Sequence, residues 1–249
     1  MKKRHIVLQN KSSKKISFSR LSEVAHALQV QIDRDFGPVW GVSAQVVALG
    51  PSEIVPKTAW PITIVNKPVG GLGIHLDQNG KPFAQVKDTL DWTVTASHEL
   101  LEMLVDPLGH RFVSAPDIDP EVSKHNVFYL VEVADPCEMY TYSINGVDVS
   151  DFVTPDYYDV TPSSGAVFDF AGRLDSPLEV PNGGYLSWID PADGRWHQKT
   201  PDGVFVNAKG KVDVNANPRD DRDAKLPEAA GADRHDTARV RTERVREFV

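Results

Sequence analysis

A histidine and two carboxylates fall close together in Ser97-His98-Glu99-Leu100-Leu101-Glu102. On a helix, residues i and i+4 stand one turn apart on the same face, so His98 and Glu102 can share a single ion. Zinc accepts imidazole nitrogen and carboxylate oxygen, and a catalytic site keeps three protein ligands and leaves a position for water. Glu99, beside the first ligand, is placed to take a proton from such a water and return it to a leaving amine. The plainer alternative is an amphipathic helix whose Glu99 and Glu102 face solvent and whose His98 is an ordinary packed histidine. Against it, Val94, Ala96, Leu100, Leu101, Met103 and Leu104 make most of this helix apolar. An unpaired carboxylate is costly on a buried helix.

The elements that must position these residues can be read from periodicity. Ile6 to Leu8 predicts a short strand. Leu21, Val24, Ala25, Leu28 and Ile32 recur at helical spacing and predict a helix over 20–36, capped by Ser19 or Ser22 and ended by Gly37-Pro38. Three strands follow at 39–49, 60–66 and 83–87, the last after the turn-like Gln78-Asn79-Gly80-Lys81-Pro82. The intervening Gly70-Gly71-Leu72-Gly73 lacks the Lys-Ser/Thr that a phosphate-binding loop needs and reads as a turn leading into a polar loop. Asp88 is an N-cap candidate for a helix running through Leu90, Val94, Leu101 and Leu104, which must stop near Val105 because Pro107 restricts Asp106. Beyond it, 127–134 and 140–152 are strand-like, with Asn145-Gly146 as a hairpin turn. Residues 154–203 are rich in Pro, Gly and aromatics and suggest loops and short strands held by ring packing.

Composition excludes several function classes. A net charge of -8 and a pI near 5.5 oppose a phosphate-neutralising surface, so nucleic acid is not an expected partner. No apolar run approaches the roughly 18 residues of a membrane span. The N-terminal charges of Lys2, Lys3 and Arg4 are not followed by a secretory apolar stretch. A single cysteine, Cys137, rules out an internal disulfide and thiolate zinc knuckles and favours a reducing compartment. It lacks the local signature of a nucleophile and reads as a buried small hydrophobe. These features predict a cytoplasmic protein, or one packaged in a virus particle.

The match of His98 and Glu99 to the H-E-x-x-H motif, and the order strand, helix, three strands, helix over residues 6 to 106, resemble the zincin metallopeptidases. Glu102 departs from the motif, standing where its second histidine would be. The longer pattern, from Ser97 through Asp106-Pro107 to Glu132-Val133-Ala134-Asp135-Pro136-Cys137, is also similar to a group of bacterial and phage proteins with an H-E-x-x-E helix and a later acidic Asp-Pro-Cys segment. The resemblance implies an α+β, zincin-like mixed sheet with an N-terminal helix and a central metal-binding helix, followed by a loop- and β-rich C-terminal part. The domain would span 1–207, with 208–249 as a charged tail in which Val240, Val245 and Phe248 could dock on a protein partner.

The activity implied is hydrolysis of a peptide or protein substrate with Zn2+. A carboxylate-rich donor set also suits Mn2+, Fe2+ or Ca2+. Glu99 would be the catalytic base, and His98, Glu102 and Glu132 the metal ligands. Asp135 is the next choice for the third ligand. His110, twelve residues after His98, is an alternative. Asp106, about 12 Å further along a continuous helix, would support a ligand rather than bind. Tyr157, Tyr158 and Tyr185 qualify as oxyanion donors by type alone, and the strand at 83–87 would align the peptide. The rival to an enzyme is a non-catalytic zincin-like structural or binding protein of a phage particle or protein shell.

Overall fold

The computed structural model describes residues 3–69, 71–118 and 124–206, and the tail expected over 208–249 lies outside them. The chain is mixed α+β. Strand β1 (Arg4–Asn10) leads to helix α1 (Phe18–Val30), capped by Ser17 Oγ accepting from the Arg20 N–H. Helical structure continues as a wider turn over Gln31–Phe36 and a last short piece, α2 (Gly37–Trp40), closed by Gly41 at φ +66°. The helix therefore runs past Gly37-Pro38. A proline in the first turn of a helical piece costs no hydrogen bond, because its missing N–H would have no partner there.

Strands β2 (Ala44–Leu49), β3 (Trp60–Val65), β4 (Gly73–Gln78) and β5 (Lys81–Lys87) complete a sheet in the order β2-β1-β3-β5-β4. All neighbours are parallel except β4, which runs antiparallel to β5 and forms one edge. The run Ile6-Val7-Leu8 is buried on both faces, as expected of a central parallel strand. Strand β4 is absent from the sequence reading, because Gly73, His75, Asp77 and Gln78 dilute its apolar signal. Its presence also corrects the peptide-aligning role expected of 83–87: β5 is paired on both sides, by β3 and by β4.

Helices α1 and α3 (Trp92–Val105) cover the sheet face that presents Ile6, Leu8, Ile62, Ile64, Ala84 and Val86. Asp91, not Asp88, precedes α3, and Leu90 is 94% exposed, outside the helix whose apolar stripe it was expected to join. Asp88 instead accepts from Asn66 Nδ2 at 3.2 Å.

The second half is a five-stranded antiparallel sheet, β12-β11-β10-β7-β6, built from β6 (Phe112–Pro116), β7 (Asn126–Leu130), β10 (Leu186–Asp190), β11 (Arg195–Thr200) and β12 (Gly203–Val206). Between β7 and β10 the hairpin β8 (Thr141–Ile144) and β9 (Val147–Ser150) turns at Asn145-Gly146, both at positive φ, as the sequence predicts. The expected aromatic packing is present: Tyr129 lies 5.8 Å from Trp188, which stacks on His197 at 5.5 Å. One apolar cluster runs from Ile6 to Trp188 and joins the two sheets. No helix among the described residues is long and apolar enough to cross a membrane.

Candidate metal centre

Helix α3 is buried along nearly its whole length, and its polar residues are held individually. Ser97 Oγ donates to Gln31 Oε1 at 2.7 Å and accepts from the Ser150 N–H at 3.0 Å, and Thr93 Oγ1 donates to the Asp148 carbonyl at 2.9 Å. These bonds fix the rotation of α3 against β9. His98, Glu99 and Glu102 are thereby turned inward, with exposures of 3%, 0% and 0%. The solvent-facing alternative for these carboxylates does not hold.

The segment after β7 brings the second set of donors. Residues Val131 to Cys137 are buried, and tight turns from Ala134 to Tyr140 are closed by the Cys137 N–H donating to Ala134 O and the Tyr140 N–H to Cys137 O. Gly184 lets the chain before β10 come close to this turn: a Cβ there would stand 2.2 Å from Pro136 O, and the following Tyr185 N–H donates to Asp135 O.

The result is a triad of His98, Glu102 and Asp135, with ligand atoms mutually within 4.8 Å. His98 Nε2 lies 3.3 Å from Glu102 Oε1 and 3.2 Å from Asp135 Oδ1. A tetrahedral ion with bonds of about 2.0–2.1 Å has ligand–ligand edges of about 3.3 Å, so the spacing suits a divalent cation. Burial opposes protonation of His98, but Glu102, Asp135 and Glu99 outweigh it and hold the imidazole pKa well above its usual value. Without an ion the carboxylates favour the protonated imidazole, so a cation held by His98 Nε2 would have to displace that proton. Of the two carboxylates named as third ligand, Asp135 joins the triad. Glu132 does not, although it is buried, and its backbone carbonyl accepts from the Tyr158 hydroxyl at 3.4 Å. Glu138, on the same turn, has its pKa raised to about 8, first by burial and then by Asp135, Glu102 and Glu99.

A second triad, which the sequence reading missed, comprises His75, Glu99 and Glu102. His75 is on β4 opposite Ala84 of β5, on the sheet face that α3 covers. Its Nδ1 is 3.4 Å from Glu99 Oε2 and 3.6 Å from Glu102 Oε2. Its Nε2 donates to the Asp106 carbonyl at 3.1 Å. Asp106 also accepts the His110 and Arg111 N–H groups on its carboxylate, so this residue ends α3 and holds His75 through its backbone. The supporting role expected for Asp106 thus takes a definite form, and His110 enters neither triad. Gly73 leaves the room Glu99 occupies, since a Cβ there would meet Glu99 Oε1 at 2.6 Å and Thr95 Cγ2 at 2.4 Å. No sequence signal marks His75 as a ligand, because the pairing of β4 with β5 is what brings it under α3.

Tyr157, Cys137 and His197, also singled out by type, take other places. Tyr157 donates to the Glu179 carbonyl at 2.8 Å. Cys137 is buried, and burial pushes its thiol far above the range where a thiolate forms. His197 lies 3.1 Å from Asp193 beside the β10–β11 turn, where Asp190 accepts from the Ala192 N–H. Comparison with protein-family models, with curated proteins and with solved structures finds no match for this chain.

Proposed function

We propose that the protein is a metal-dependent peptide hydrolase, with zinc as the expected ion, held by His98, Glu102 and Asp135. The observation that carries this reading is the buried imidazole–carboxylate–carboxylate triad, in which His98 Nε2 lies 3.3 Å from Glu102 Oε1 and 3.2 Å from Asp135 Oδ1, with Glu99 one residue from the first ligand and neither of its oxygens accepting a hydrogen bond. The ion supplies Lewis acidity and lowers the cost of deprotonating water. Glu99 accepts the proton of the attacking water and returns it to the leaving nitrogen. As the antiparallel edge of the sheet, and as the strand carrying His75, β4 is the candidate for pairing with an extended substrate. The strand–helix–strands–helix order around α3 supports the zincin likeness. The single buried cysteine fits a cytoplasmic setting or one inside a virus particle.

The test is elemental mass spectrometry of protein purified without chelator, followed by a peptide-library cleavage screen. The parent should carry a transition metal that His98→Ala loses. Glu99→Gln should abolish cleavage while the ion on His98 stays bound. A parent that neither contains nor accepts zinc or manganese overturns the reading.

The near-complete burial of the donors favours a second, structural reading, in which the ion fastens α3 to the Ala134–Tyr140 turns in a non-catalytic shell or particle component. Ligand binding to the native state alone adds about 2.7 kcal/mol at a hundredfold excess over Kd. Both readings therefore predict a melting temperature that falls on chelation, and only the hydrolase predicts cleavage that depends on Glu99.

A further inference from the structure

Glu102 belongs to both triads, and its two oxygens face different imidazoles: Oε1 lies toward His98 and Oε2 toward His75. Each triad thus has one imidazole, one carboxylate of its own and one oxygen of a shared carboxylate. We propose that His75 Nδ1, Glu99 and Glu102 Oε2 form a second divalent-cation site, so that Glu102 bridges two ions in a dinuclear centre.

Three observations beyond the clustering of acids carry this. First, the Asp106 carbonyl can only accept, so His75 must keep its proton on Nε2. In the neutral ring this leaves the Nδ1 lone pair facing Glu99 and Glu102. An imidazole fixed through its other nitrogen is the usual arrangement of a metal-ligating histidine. Second, the Glu99 carboxylate is fully buried and neither oxygen accepts a hydrogen bond. A buried carboxylate in that state calls for a cation. Third, the contacts of 3.4 and 3.6 Å from His75 Nδ1 exceed the roughly 2.7–2.9 Å of a charge-assisted hydrogen bond and match the edges of a coordinated ion.

The inference rests on the first site only through Glu102, and it regulates the proposed chemistry. An ion held by Glu99 Oε2 would lower the basicity of the whole carboxylate, including Oε1. Occupancy of this site would therefore weaken the base proposed for hydrolysis.

The experiment is metal stoichiometry on the full chain, using Zn2+ at controlled free concentration, with Mn2+ loading followed by electron paramagnetic resonance. The variants are His75→Gln, which keeps a donor toward Asp106, and Glu99→Gln, with circular dichroism to check folding. The parent should hold two equivalents and show exchange-coupled Mn2+, and each variant should hold one equivalent with an uncoupled spectrum. If His75→Gln does not fold, Glu99→Gln decides. One equivalent in the parent, unchanged by either variant and removed by His98→Ala, overturns the second site and leaves the first intact. Two equivalents retained in both variants also overturn it, because the second ion then sits elsewhere. No bound metal under any loading overturns both sites together.

Discussion

Asp151 and Asp169 form a buried acid pair beside Cys137, and their shared proton should make stability fall as pH rises. Asp151 Oδ1 accepts the N–H groups of Phe152 at 2.8 Å and Ala171 at 3.2 Å, while Asp169 accepts those of Arg173 and Leu174. Both residues are fully buried. Burial and then the hydrogen bond to Asp169 raise the Asp151 pKa to about 7. The folded protein thus holds a proton that the unfolded chain releases near its ordinary value of about 3.9. A group whose folded pKa is raised contributes its full stability below the unfolded value and loses it as pH climbs to the folded one. Between pH 5 and pH 8 this amounts to roughly 2–3 kcal/mol, most of it lost by pH 7 and the rest by about pH 8. Asp151→Asn replaces the shared proton with an amide N–H toward Asp169 and keeps an oxygen for Phe152 and Ala171. Urea unfolding of metal-free parent and variant at pH 5, 6, 7 and 8 measures the difference, because all other titrating groups cancel. The parent should lose roughly 2–3 kcal/mol more than the variant across this range. Parallel pH curves, differing by less than about 0.5 kcal/mol, would refute the shared proton.

Two further substitutions probe how α3 is seated. Gly73→Ala should cost about 1–3 kcal/mol by overpacking against Thr95 and Glu99, and Thr95→Ser, which removes the Cγ2 that the new methyl would meet, should recover part of that loss in a double-mutant unfolding cycle. Ser97→Ala should cost about 2 kcal/mol in urea unfolding, since it leaves the buried Ser150 N–H without its acceptor and Gln31 without its donor.

Legibility of this fold followed the strength of the local pattern. The strands β1, β3 and β5, the helix expected over 20–36 and the turn at Asn145-Gly146 could all be read, because apolar periodicity and turn chemistry are local properties, whereas the strand expected over 39–49 begins only at Ala44, Val39 and Trp40 being helical. The burial of α3 was equally visible in its apolar flanks. Leu90 was misassigned because periodicity cannot tell the residue before a helix from one within it. The second sheet was only partly legible, since Phe112–Pro116 and Arg195–Thr200 mix charged, polar and aromatic residues without clean alternation.

The site divides in the same way, for a reason specific to coordination. His98 and Glu102 could be paired on paper because a helix fixes i and i+4 side by side whatever the rest of the chain does. For Asp135 the sequence supplied a short list of carboxylates, and the choice between it and Glu132 depended on how the chain turns after β7. Glu132 lies just past β7, where its N–H turns back onto the Leu130 carbonyl and its own carbonyl accepts from Tyr158, whereas Asp135 stands in the turn closed by Ala134 and Cys137, beside His98. His75 depends on more still. Its placement needs β4 to pair antiparallel with β5, in the one register that puts His75 opposite Ala84 and Gly73 opposite Val86. A shift of one residue would turn the imidazole to the far face, with Ile74 or Leu76 in its place. Gly73 and His75 weaken the strand signal and are also the two residues that let the edge strand lie against Glu99, one by having no side chain and the other by supplying a nitrogen. The features that hid β4 from periodicity are therefore those that give this edge of the sheet its chemistry.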